Sequence, residues 1–183
     1  MSEIKVASRY AKSLIDLALE QNVLEEIKND ALFFVDTLRV NSTLQAVLKN
    51  PIIPLGKKNA IINEIFASKV NKTTAAFLKI VIDKGRSGII YSIAKEFLNQ
   101  YNGFKKIFKA QVISSTPLTQ DNINKITAVV KDAVKGDVIL TTLVDENLIG
   151  GFILTVGDKQ FDTSIATSLA KLKKEFAQGV TTP

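Results

Sequence analysis

The residues best placed to do chemistry lie in ENLIGGFILTVGDKQFDTSI, residues 146–165. Two adjacent glycines, Gly150 and Gly151, precede an apolar run, and Gly157 and Asp158 follow it. Glycine-rich loops cradle phosphates, and paired carboxylates carry out glycosidic or acid–base chemistry. The stretch therefore has two chemical interpretations, a phosphate-binding loop and a carboxylate active site.

The phosphate-loop interpretation fails because of the segment after the glycines. A phosphate loop leads into a helix N-terminus and ends in Lys-Ser or Lys-Thr. Gly150 and Gly151 instead lead into GFILTV, which has the composition of a strand. Paired glycines at a strand more often mark a bulge or a close backbone approach. We therefore expect Gly150 and Gly151 to be structural.

The acidic residues of this region each have a local structural explanation. Asp145 and Glu146 fall in a predicted turn, and Asp158 follows Gly157 in another, where aspartate hydrogen-bonds its own backbone. Asp162 precedes the final helix, where a carboxylate accepts hydrogen bonds from free backbone N–H groups. This favours architecture over a hydrolase site, which remains the alternative. The residues predicted to be structural are Gly150, Gly151, Gly157, Asp158, Asp162 and Ser164, together with Arg86 in the first half.

The composition narrows the remaining chemistry. The 183 residues include no cysteine and no histidine, which excludes disulfides, thiolate sites, the usual zinc sites and a Ser-His-Asp triad. A hydrophobic content of 46% indicates a globular protein. No apolar run is long enough to span a membrane, and the start, MSEIKVASRY, does not resemble a secretion signal. We expect no catalytic residue, no cofactor and no metal.

The net charge of +6 leaves a second functional class open. A basic surface suits nucleic acid, anionic lipid or an acidic protein partner. The lysines are scattered, however, and the sequence lacks tryptophan and the aromatic pattern of a base-stacking sheet. A solvated lysine-rich surface is the simpler interpretation, with an RNA- or ribosome-associated binding module as the alternative function.

The first half has helical periodicity throughout. Ile4, Ala7, Ala11, Leu14 and Ala18 recur every three or four residues, and five further segments up to about residue 104 show the same rhythm. Six helices with short connections predict a bundle.

The fifth of these helices, TTAAFLKIVIDKG, is apolar on nearly all sides. It is either the central helix of the bundle or part of a groove for a partner's amphipathic helix. The alanines of the first helix would allow close approach of such a partner. The sequence alone leaves both interpretations open.

After Gly103 the periodicity changes to that of a small α+β domain of order β-α-β-β-β-α. DVILTTLV and GFILTV are predicted to form a hairpin through the turn DENL, and Gly157-Asp158 predicts a second turn. A closing helix places Ile165, Leu169, Leu172 and Phe176 on one face. The predicted fold is two-domain, with an all-α six-helix bundle over residues 1–104 and a small α+β domain over residues 105–183.

Four segments, in order, resemble the delta subunit of F-type ATP synthases, the oligomycin-sensitivity-conferring protein family. The most specific is DENLIGGFILTVGDKQFDTSIATSLAKL. The others are SRYAKSLIDLALEQN, NPIIPLGKKNAIINEIF and FLKIVIDKGRSGIIYSIAKEF, the last with Arg86 between the fifth and sixth helices. The resemblance spans nearly the whole chain.

The resemblance implies a stator subunit without catalysis, which couples proton-driven rotation (hydrogen ion transport) to ATP synthesis. The implied partners are the N-terminal helix of an alpha subunit, bound by the N-terminal domain, and a b-type peripheral stalk subunit, bound by the C-terminal domain. The implied location is peripheral, on the cytoplasmic side of the bacterial inner membrane, without direct membrane insertion and without nucleic acid. The residues expected to line the alpha-helix groove are Tyr10, Ala11, Leu14, Ala18, Phe77, Leu78 and Val81.

Overall fold

The computed structural model describes residues 3–66 and 68–179. Its Cα positions divide the chain into two compact units, with the division between Asn102 and Gly103. The described residues are mostly helical, with eight α-helices and one four-stranded sheet. Helices come first and strands second, as the sequence predicts. That residues 1–104 and 105–183 are independent domains stays a prediction.

The first unit consists of helices joined by short connections, and the last helix extends two residues past the division at Asn102. A single turn of 3-10 helix, Ser87–Ile89, precedes the last of them. The helices are α1 (Glu3–Glu20), α2 (Leu24–Val40), α3 (Ser42–Lys49), α4 (Leu55–Phe66), α5 (Lys72–Asp83) and α6 (Ile90–Phe104).

Each of these helices buries its apolar face in a common core. Phe66 and Phe97 are among the largest fully buried side chains, and Phe34 packs 4.5 Å from Phe66 between ring centroids. Apolar burial at about 25 cal/mol per Å² is the main force that holds such helices together. The near-uniform apolarity of α5 resolves into a buried face around Val81 and an exposed side chain at Ile80.

The second unit is a four-stranded sheet with a helix between its first two strands and another at its end. The sheet order is β2-β1-β3-β4, with β1 and β2 parallel and the other pairs antiparallel. The elements are β1 (Ile107–Ser114), α7 (Gln120–Val134), β2 (Asp137–Val144), β3 (Phe152–Val156), β4 (Lys159–Asp162) and α8 (Ile165–Gly179).

The predicted hairpin between DVILTTLV and GFILTV is wrong. These segments are β2 and β3, and β1 lies between them, paired with β2 on one side and β3 on the other. The turn at DENL exists, since the Leu148 N–H donates to the Asp145 carbonyl at 3.1 Å. A local turn does not make its flanking strands neighbours, because α7 crosses over the sheet and brings β2 to the outer side of β1.

Candidate partner-docking surfaces

The two adjacent glycines lie where the chain enters β3 and touches the start of α8. Gly151 has a φ of +79°, and a Cβ there would collide with the Thr163 carbonyl oxygen. The Gly150 carbonyl accepts a hydrogen bond from the Ile165 N–H at 3.0 Å. Only glycine tolerates both the left-handed backbone and so close an approach. The structure thus places this pair in backbone packing.

Gly157 and Asp158 form the two-residue turn between β3 and β4. The register pairs Val156 with Lys159, which leaves only these two residues in the loop, and Gly157 has a φ of +56°. Residues with positive φ are characteristic of such tight hairpins. The second predicted turn is confirmed.

The start of α8 is organised by Asp162 and Ser164. The Asp162 carboxylate accepts hydrogen bonds from the Ser164 N–H and the Thr167 hydroxyl, both at 2.8 Å. Buried Ser164 accepts a bond from the Thr167 N–H at 3.3 Å, as an N-cap does. The hydrogen bonds from Ser164, and then that from Thr167, hold the pKa of Asp162 below its ordinary value.

The acid of the preceding turn is likewise engaged locally. Asp145 Oδ1 accepts hydrogen bonds from the backbone and side-chain amides of Asn147, at 3.0 and 2.8 Å. Among residues 3–66 and 68–179, no three acidic side chains cluster so as to hold a metal ion. The arrangement of these carboxylates is that of turns and caps.

The residues predicted to line a helix groove divide into two groups by burial. Tyr10 and Phe77 are half-buried, and their rings meet edge to face with centroids 6.3 Å apart. The other five are buried in the core, and several of the seven border a small cavity of about 30 Å³. The five buried residues are Ala11, Leu14, Ala18, Leu78 and Val81.

The exposed Arg86 extends this half-buried pair at the surface. Its guanidinium carbon lies 5.6 Å from the centroid of the Tyr10 ring, in cation–π contact. Arg86 thus joins α1 to the segment after α5. The backbone N–H of Arg86 donates to the Val81 carbonyl at 3.0 Å. We call Tyr10, Phe77 and Arg86 the aromatic rim.

Another apolar surface lies on α8, where the sequence pattern predicts an apolar stripe but does not indicate a site. Its four large apolar side chains lie on one face of the helix at i, i+4, i+7 and i+11. Burial would be the usual fate of such a stripe, yet all four are exposed. The α8 stripe consists of Ile165 (45% exposed), Leu169 (55%), Leu172 (47%) and Phe176 (72%).

A second apolar surface in the same unit is a groove of about 640 Å³ between α7 and the sheet. Sequence reasoning missed it, because it combines side chains from four separate elements. Val129 on its wall and Phe161 on its floor are 68% and 54% exposed. The sheet groove is lined mainly by Phe108, Val129, Val130, Ala133, Leu154, Val156 and Phe161, with Asp158 and Lys159 at one end.

The chain thus combines a helical unit with an α+β unit that has exposed apolar surfaces, and its acids in residues 145–162 are engaged in turns and caps. The sequence matches the family described as ATP synthase delta (OSCP) subunit over residues 6–176. The chain belongs to this family.

Curated relatives are similar over nearly their whole length. One, ATP synthase subunit delta of Amoebophilus asiaticus, is 40% identical over 177 residues, covering 96% of each chain. Another, of Cytophaga hutchinsonii, is 36% identical over 180 residues and 98% of each chain. The fold resembles a chain of the Toxoplasma gondii mitochondrial ATP synthase hexamer with a TM-score of 0.71, covering 93% of this chain and 97% of that one, at 19% identity.

The function is therefore that of a structural stator subunit of the F-type ATP synthase, which couples proton-driven rotation to ATP synthesis. The comparisons give no support to the RNA- or ribosome-associated alternative. As part of this complex the chain is peripheral to the membrane. Within the described residues, every helix is too short or too polar to cross a bilayer.

Proposed function

We propose that the chain links the catalytic head to the peripheral stalk by docking one partner helix on each of its two units. The N-terminal helix of the alpha subunit binds at the aromatic rim of the first unit. The end of the b-type stalk binds the α8 stripe of the second. The chain itself makes and breaks no bonds and takes no cofactor, metal or nucleic acid.

The observation that carries this proposal is the exposure of the α8 stripe. Four large apolar side chains in water on one helix face are costly, and a stalk helix would remove them from water. Such anchors at i, i+4, i+7 and i+11 suit the packing of one helix against another. The stripe is therefore the surface that we assign to the stalk.

The aromatic rim supports the alpha-subunit assignment in the first unit. Tyr10 and Phe77 are half-buried, so a helix that docks there would complete their burial. Aromatic and arginine side chains are the residue types that contribute most to binding at interfaces. The five buried residues would then support the rim from below, and a partner helix would reach them only if α1 and α5 moved apart.

The proposed location follows from these partners. Both would hold the chain at the cytoplasmic face of a bacterial membrane. The chain would not insert into the bilayer itself.

Binding measurements on the full-length chain test the two surfaces separately. Phe77→Asp should weaken binding of a peptide with the alpha N-terminal sequence by roughly tenfold or more, because a charge replaces an apolar anchor. Leu169→Asp should do the same for the C-terminal segment of the b-type subunit. Each variant should leave the other partner's affinity unchanged, as measured by calorimetry.

The matched controls place the same charge on an exposed position of the same helix. The controls are Ala76→Asp on α5 and Ala170→Asp on α8, because Ala76 and Ala170 are exposed and lie outside the assigned surfaces. Both control variants should bind the alpha peptide and the b-type segment with the affinities of the unaltered chain. If Leu169→Asp and Ala170→Asp bind the b segment equally well, the stalk assignment is wrong; equal alpha-peptide affinities of Phe77→Asp and Ala76→Asp would remove the rim assignment.

A further inference from the structure

The second unit carries two apolar surfaces that are both left open, the α8 stripe and the sheet groove. The register places Phe108, Leu154, Val156 and Phe161 on the same face of the sheet. On that face α7 packs mainly against β2, and the β3 and β4 side has no helix packed against it to a comparable extent. A sheet with one apolar face is normally covered along its whole width.

The topology places the start of α8 at the edge of the sheet from which a helix could cover the open face of β3 and β4. β4 runs antiparallel to β3, and β3 antiparallel to β1, so β4 is parallel to β1 and ends at the same edge. Therefore α7, which follows β1, and α8, which follows β4, both begin at that edge. A helix returning from this edge along the face would lie beside α7, over β3 and β4.

The lengths of the α8 stripe and of β3 agree with α8 folding back along the sheet. From Ile165 to Phe176 the α8 stripe extends over about 16 Å at 1.5 Å per residue. The five residues of β3 extend over about 17 Å at 3.4 Å per residue. The stripe is thus long enough to cover the groove from one end to the other.

We propose that α8 is a lid. In the free chain it folds back about Thr163 and Ser164 and lays its stripe in the sheet groove; the arrangement with the stripe exposed is the open state. Closure exchanges a few hydrogen bonds at the start of α8, including Ile165 N–H to the Gly150 carbonyl and the part-buried Thr167 hydroxyl to Asp162, for burial of both apolar surfaces. Only two residues join β4 to α8, so the start of α8 stays beside the chain's own groove.

Closure is a property of the chain alone, but it has a consequence for the proposed function. The stripe that closes on the groove is the surface assigned to the stalk. A stalk helix would therefore bind the open state and compete with closure, and the free chain would keep this surface out of water until assembly.

Disulfide trapping in the full-length chain tests the lid, and the absence of native cysteine gives a clean background. Val129→Cys combined with Leu172→Cys places one thiol on the groove wall and one on the stripe. The control pairs Val129→Cys with Lys174→Cys, on the opposite face of α8. At low protein concentration, the stripe pair should form an intrachain disulfide at least about tenfold faster than the control, since only its thiols meet when α8 closes.

Equal rates for the two pairs, or no disulfide in the stripe pair, would overturn the lid. Disulfides only between chains would also overturn it, because the groove would then take α8 of a second copy. A second pair, Phe161→Cys with Leu169→Cys, serves if the first variant fails to fold by circular dichroism. An added b-type C-terminal segment should slow trapping; an unchanged rate would contradict the stalk assignment while leaving the lid intact.

Discussion

The side chain of Lys58 lies only 3% exposed inside the first unit. Its ammonium donates hydrogen bonds to the Leu48 carbonyl and the Ser87 hydroxyl, both at 2.9 Å. The Leu48 carbonyl belongs to the last turn of α3, where the helix dipole favours a cation. A buried charge is stable only when such partners replace water, so Lys58 ties α3, α4 and the turn before α6 together.

Replacing this lysine should destabilise the first unit. Lys58→Ala removes the buried packing of the side chain and its two hydrogen bonds, and we expect a loss of about 2 to 3 kcal/mol in the free energy of unfolding. Urea denaturation followed by circular dichroism measures it. Lys57 is the exposed neighbour on the same helix, and Lys57→Ala should leave the free energy of unfolding nearly unchanged. Identical midpoints for the two variants would show that the buried lysine is not a structural tie.

At the scale of the element, the start of α8 depends on one carboxylate. Asp162 accepts hydrogen bonds that exist only in the folded chain, so its pKa is lower folded than unfolded. Its stabilising contribution is thus present above the unfolded pKa and is lost as the pH falls through the lower, folded pKa. Acid should therefore loosen the cap that holds α8 in its open direction.

This pH dependence is measurable at single residues. With α8 held open by an added b-type C-terminal segment, the backbone amide signal of Ser164 should titrate in NMR spectra with a midpoint below the ordinary aspartate value of 3.8, because this amide donates to the carboxylate. Asp162→Asn should abolish the titration, since an amide side chain does not ionise. A midpoint at or above 3.8 in the unaltered chain would contradict the cap geometry.

At the scale of the whole molecule, the predicted division into residues 1–104 and 105–183 is open to test. The structure separates its two compact units close to this point. Lys105 and Lys106 are exposed there, and Lys106 has a φ of +54°, outside regular helix and strand. Chain segments between domains are preferred sites of proteolysis.

Limited trypsin digestion of the native chain should therefore cut first after Lys105 or Lys106. The N-terminal fragment should keep its helical circular dichroism and unfold cooperatively, because its core is made within residues 3–66 and 68–102. The double variant Lys105→Gln, Lys106→Gln should resist this first cut. Early cuts inside α1 to α5, or a fragment that unfolds on release, would mean that the halves do not fold independently.

Sequence reasoning succeeded where the signal is local and failed where partners are distant in the chain. The turn at Gly157-Asp158 and the carboxylate cap at Asp162, which accepts the Ser164 N–H, follow from a few adjacent residues. The prediction of a β2–β3 hairpin was wrong because no residue near the turn indicates that β1 lies between the two strands. Lys58 was missed for the same reason, since its partners are 10 and 29 residues away.

The family, the change from helical to mixed periodicity, and the absence of cysteine and histidine chemistry can all be read from the amino-acid sequence. These depend on residue identity and short-range spacing, which the chain carries without folding. Which apolar residues belong to the core and which lie at the surface can be read only from the folded chain. A helical stripe looks the same in sequence whether a neighbour covers it, as on α1, or leaves it in water, as on α8, because burial depends on what the rest of the chain places beside it.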